Sequence, residues 1–106
     1  MEHVSYVMGI ISAPPEEGAK LAEALVGEKL AACVQVSSPV TSVYRWEGKI
    51  EHSQEVLLFV KTETGRIRSI KEFLLKEHPY EVPEFITLPI TDGLPRYLKW
   101  IDTSLR

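Results

Sequence analysis

The first apolar run, Val4 to Ile11, is short, rich in strand formers and followed by Pro14-Pro15, which predicts a buried β-strand. Pro14 and Pro15 then open a helix, because proline fits the first helical turn. Glu16 and Glu17 stand where the helix dipole favours negative charge. Leu21, Ala22, Leu25 and Val26 recur at helical spacing as the core face, and Gly27 weakens the last turn. The next strand starts near Cys33 and runs to Trp46, with Val34 and Val36 alternating against Gln35 and Ser37. Pro39 lies inside it and has no N–H for a ladder, so a bulge, a bend or an edge is expected there. Glu47-Gly48 marks a tight turn, and the return strand runs from Lys49 to Lys61.

Thr64 suits the N-cap of a second helix with Ile67, Ile70, Phe73 and Leu74 as its apolar stripe. Pro79 ends that helix by restricting His78 to extended geometry. A fourth strand covers Phe85 to Ile90, with Pro89 pointing to an edge or an irregularity. Pro95 starts a last helix with Tyr97, Leu98, Ile101 and Leu105 inward and Trp100 on the flank.

The order βαββαβ plus a helix predicts one α+β domain over residues 1–106, a ferredoxin-like sandwich with two helices on one face of an antiparallel sheet. Its central hairpin is too long for such a domain. Core strands need about five or six residues, whereas these arms reach roughly 40 Å at about 3.3 Å per residue. The far half carries Val40, Val43, Tyr44, Trp46 and Ile50, an apolar ribbon that a lone subunit would leave in water. Packing on further copies resolves this; breaks at Pro39 and His52-Ser53 are the alternative.

Composition narrows the class. The 106 residues are 44% hydrophobic and 25% charged, with a net charge of -3, so no basic footprint for nucleic acid exists. No apolar stretch is long enough for a membrane span, no signal peptide opens the chain, and the one cysteine, Cys33, excludes an internal disulfide. The expected compartment is the cytoplasm. The six glycines are scattered, without a phosphate loop, and no nucleophile stands with a base and an orienting group. The expectation is therefore a protein that is not an enzyme.

Several runs resemble the CutA divalent-cation tolerance family. They are Glu28-Lys29-Leu30-Ala31-Ala32-Cys33-Val34, Thr41 to Ile50 with Val43-Tyr44-Arg45-Trp46-Glu47-Gly48 inside it, His78-Pro79-Tyr80-Glu81-Val82-Pro83-Glu84, and Tyr97-Leu98-Lys99-Trp100-Ile101. The resemblance spans nearly the whole chain in the right order. It implies a homotrimer held by long hairpins, much like PII signalling proteins, and a link to copper and other divalent metals.

Candidate metal ligands are His78 and Cys33, with His3 and His52 as solvated surface residues, since copper prefers imidazole and thiolate. No Cys-x-x-Cys or His-x-His spacing forms a closed site. The resemblance implies copper ligands at a first-strand cysteine and a histidine pair before the proline. Here isoleucine (Ile10 or Ile11) and Glu77 stand in the unmatched places, so only His78 carries over. His78 is equally a structural residue of its turn, and Cys33 equally a small buried hydrophobe. Tyr44, Trp46, Lys61, Tyr80 and Glu84 are of the aromatic and charged kind that lines clefts, or that anchors an interface. Two functions follow: a metal-response trimer binding copper or another divalent ion without catalysis, or a PII-like trimer that binds a small ligand between subunits and acts on a partner protein.

Overall fold

A computed structural model describes residues 5–106; His3 and Val4 lie outside the described residues. The elements are β1 (Tyr6–Ala13), α1 (Pro15–Gly27), β2 (Cys33–Val36), β3 (Val40–Trp46), β4 (Lys49–Glu63), α2 (Ile67–Glu77), β5 (Phe85–Pro89) and α3 (Pro95–Ser104). The strands form one antiparallel sheet in the order β2-β4-β1-β5, and β3 pairs β4 alone.

Alternation along the two central strands divides the sheet into two faces. Val7, Ile11 and Ala13 of β1 and Val56, Leu58 and Val60 of β4 are buried. Most of them join Leu21, Ala22 and Leu25 of α1 and Ile70, Phe73 and Leu74 of α2 in the main core. Helix α1 comes close to the sheet at Gly18, where a Cβ would lie 2.6 Å from Val56 Cγ2, so the contact needs a residue without a side chain. The opposite face is covered at one end by α3, where Ile101, Leu105, Leu98, Tyr6 and Ala32 make a second, smaller core.

Several local expectations change. Val26 is exposed, because the buried stripe of α1 runs through Gly18, Leu21, Ala22 and Leu25 and leaves Val26 at its margin. Gly27 is the last helical residue, but the left-handed residue beyond it is Lys29, at φ 57°. Lys29 N–H donates to Val26 O at 3.0 Å and Leu30 N–H to Leu25 O at 2.9 Å, the paired bonds of a Schellman ending. Thr64 starts a single 3-10 turn and makes no side-chain cap; α2 itself begins at Ile67. Tyr97 is half-exposed and not inward, since only Ile101 of α3 is fully buried. His78 is extended before Pro79, at ψ 136°, as the proline requires. Pro89 ends β5, an edge strand paired only with β1.

The hairpin behaves differently on its two arms. The return arm β4 is unbroken for 15 residues and passes His52-Ser53 without interruption. The outgoing arm breaks between Val36 and Val40. Val36 pairs with Leu58 and Val40 with Glu55, so four steps on one arm match three on the other. That is a β-bulge with one extra residue, placed where Pro39 cannot donate. Ser37 bridges it: its N–H donates to Leu57 O at 2.9 Å and its Oγ accepts from Leu57 N–H at 2.8 Å. Beyond the bulge the ribbon overhangs the domain, which measures 50 × 24 × 23 Å with a radius of gyration of 14.7 Å. A compact chain of this length has about 13 Å.

Candidate functional site

Pairing beyond the bulge decides which side chains meet. Paired residues in a sheet share a face, so Glu55 lies on one side of the ribbon with Val40, and the pairs Ser42–Ser53, Tyr44–Glu51 and Trp46–Lys49 follow on that side. This is the side opposite α1 and α2. The unbroken alternation of β4 fixes this facing, and the extra residue lets β3 take it up although Val36, four residues before Val40, pairs with Leu58 on the helix side.

The turn after α2 closes the space from below. His78 is buried, and its ring is tied at both nitrogens. Nδ1 accepts from Tyr80 N–H at 3.1 Å, so the ring proton sits on Nε2, which donates to Ser12 O at 2.8 Å. Ser12 Oγ in turn donates to Glu84 Oε1 at 3.3 Å. The end of β1 thus holds the turn at both His78 and Glu84. Tyr80, with its ring 4.7 Å from that of His78, sends its hydroxyl to Glu55 Oε2 at 2.8 Å.

The result is a cleft of about 670 Å³ lined by Ser12, Ser42, Val43, Tyr44, Trp46, Glu55, Pro79, Tyr80, Glu81, Val82 and Glu84. Three carboxylates and three aromatic rings line it, and none of the lining residues is basic. Burial, followed by the bond to Glu55 and the charge of Glu55, pushes the Tyr80 phenol well above its usual range. Folding therefore favours protonated Tyr80. Its contribution is complete below about pH 10, where the unfolded phenol is also protonated, and is lost as pH rises further. Wild type should lose stability above that pH more steeply than Tyr80→Phe; urea unfolding at a series of alkaline pH values measures the difference. Tyr97, raised by burial and then by the neighbouring Cys33 thiol, adds a slope common to both proteins.

Of the residues singled out in the sequence, Tyr44, Trp46, Tyr80 and Glu84 line the cleft together. Lys61 does not. It lies on the same sheet face but six residues along β4 from Glu55, about 20 Å away, where it donates to Gln35 Oε1. Cys33, half-buried, pairs with Lys61 at that remote end, while His78 is bonded to Ser12, which pairs with Leu57. The two candidate metal ligands thus belong to different parts of the molecule. His78 has no lone pair free for a metal in this arrangement, and its place is that of a structural pin. Among the described residues, no group of three or more His, Cys, Asp or Glu side chains gathers to hold a metal ion. Glu55 escaped the sequence reading. The available signal was a carboxylate placed directly before the apolar run Val56 to Val60, at a position that alternation assigns to the cleft side.

Fold and cleft define a small α+β protein with an acidic, aromatic-walled recess at the root of an overhanging hairpin. Residues 7–104 match the family described as CutA1 divalent ion tolerance protein, and the chain belongs to that family. It is 47% identical to the divalent-cation tolerance protein CutA of Thermus thermophilus over 87% of this chain and 90% of that one. The crystal structure of CutA1 from Oryza sativa superposes with a TM-score of 0.94 at 39% identity, covering 97% of this chain and 95% of that one. A structure from Nostoc sp. PCC 7120, described as a PII-like protein CutA in apo form, gives a TM-score of 0.88 at 32% identity, covering 94% and 97%. The chain spans 68% of the length of the Xenopus laevis relative, 58% of that of Mus musculus and 50% of that of Arabidopsis thaliana. Among the described residues no helix is long and apolar enough to cross a membrane.

Proposed function

We propose that the protein is a homotrimer of ferredoxin-like, PII-like subunits that acts by binding a small ligand in the hairpin cleft, without catalysis. The observation that carries this reading is the cleft itself: an open, preformed space of about 670 Å³, within the usual size of small-molecule sites. No Cys or Lys lines the cleft, and the one lining serine bonded to a carboxylate, Ser12 to Glu84, makes a long contact of 3.3 Å. The strand order, with the hairpin at the centre of the sheet, supports the ferredoxin-like assignment.

Two surfaces support association. Val43 and Ile50 are exposed on the side of the ribbon opposite Tyr44 and Trp46, and among the described residues β3 pairs with β4 alone. On the face away from α1 and α2, half-buried Met8, Ile10 and Phe59 continue into exposed Ile86 and Leu88. Monomers rarely leave that much contiguous apolar area in water. The resemblance to PII proteins supports three as the number, and the unpaired Cys33 fits a cytoplasmic setting. Light scattering on the purified chain should give three times the mass of 12.0 kDa, and a monomer would overturn the reading.

A second reading, a divalent metal ion as the ligand itself, is favoured by the three carboxylates Glu55, Glu81 and Glu84 in the same cleft. Oxygen donors suit hard ions better than copper. Titration with copper and with magnesium, against Glu55→Gln, separates the two ions. A partner protein that reads the ligand-bound state completes the PII-like reading.

A further inference from the structure

We infer that the ligand of this cleft is a small organic cation, carrying an ammonium or quaternary ammonium group that sits between Glu55 and the rings of Tyr44, Trp46 and Tyr80. The inference rests on the reading above that the cleft is the binding site, and assigns its chemistry.

Glu55 is the leading observation. It is 7% exposed, yet no lysine, arginine or histidine pairs with it among the described residues. Among the described residues its single side-chain bond is the one Oε2 accepts from Tyr80, and Oε1 receives no donor from them. A buried carboxylate with a neutral phenol as its only partner is under-compensated. Oε1 is open to the cleft, of whose wall Glu55 is part, so its partner, water or a ligand, comes from that space. Glu81 and Glu84 add two more acidic groups to the lining, and no basic residue there offsets them. An anionic ligand such as a nucleotide would face three carboxylates, so this field selects a cation.

The aromatic walls select the kind of cation. Tyr44 and Trp46 face the same side of the ribbon as Glu55 and are exposed to 43% and 42%, with Tyr80 below them. Ring faces attract a weakly hydrated organic cation over a hard, strongly hydrated metal ion. The carboxylates moreover do not converge: among the described residues no three acidic, histidine or cysteine side chains gather as metal ligands. The space, about 670 Å³, exceeds what a bare ion needs and suits a molecule with an apolar portion, which Val43, Val82 and Pro79 would contact.

The test uses probes of one size and three charges: n-butylammonium, 1-butanol and butyrate, with tetramethylammonium as the quaternary arm and magnesium as the metal arm. Each is titrated into the full chain carrying Trp100→Phe, so that Trp46 is the sole indole, and followed by Trp46 fluorescence and calorimetry. Butylammonium or tetramethylammonium should bind at least about tenfold more tightly than butanol, and butyrate should not bind. Glu55→Gln keeps the shape and should weaken the cations by about tenfold or more while leaving butanol unchanged. Equal binding of butylammonium and butanol, or an unchanged response in Glu55→Gln, overturns the inference. Preferential binding of butyrate or magnesium also overturns it but leaves the cleft as the ligand site. If no probe moves Trp46, both the inference and the cleft reading fail.

Discussion

Leu58→Ala should lower the unfolding free energy by about 2–5 kcal/mol, the range for a fully enclosed leucine truncated in a core that relaxes only in part. Leu58 is 0% exposed on the central strand β4, flanked in the sheet by Ile11 and Val36 and covered by the two helices. No backbone bond is altered, so the whole effect is lost packing and the cavity left behind. Urea unfolding at matched protein concentration is the measurement, because an associated chain has a midpoint that rises with concentration. An effect below about 1 kcal/mol would mean that the helices settle onto the sheet and close the space, contrary to the packing described.

His78→Ala should cost about 2–4 kcal/mol, from a stranded Ser12 carbonyl and the space vacated by the ring. It should also loosen Tyr80, whose N–H loses its acceptor, and through Tyr80 the bond to Glu55. Two measurements separate this role from that of a metal ligand. A structural pin predicts lower stability with copper affinity unchanged in the folded fraction. A ligand predicts loss of copper affinity at nearly unchanged stability of the apo chain.

Much of this architecture was legible from period and punctuation. Most strand and helix stripes are read correctly because each has one buried face, Val26 and Tyr97 excepted, and proline marks the starts of α1 and α3, the edge of β5 and the break near residue 39. What could not be read depends on which separate segments come together. Tyr80 and Glu55 lie 25 residues apart in sequence, and only the folding of the α2–β5 turn over the root of the hairpin joins them. Lys61 looked like a site residue by its type, yet position along a straight strand places it far from the cleft. His78 and Cys33 have the right chemistry for copper, but one is fixed at both nitrogens and the other sits at the far end of the sheet. Tyr97 shows the limit of spacing: a helix stripe names a face, and only the partner surface decides how wide the buried part is.

The single extra residue between Val36 and Val40 is absorbed on the outgoing arm alone, so the return arm keeps one unbroken alternation from Lys49 to Glu63. Adding or removing residues in opposed pairs beyond it changes how far the ribbon reaches, by about 3.3 Å for each residue in an arm. One residue lost within Ser37–Pro39 instead only removes the bulge: Val40 still meets Glu55, and Tyr44 and Trp46 keep both their side and their reach. Reach and facing are thus both written outside the bulge, the first in the span of the arms and the second in the unbroken alternation of β4.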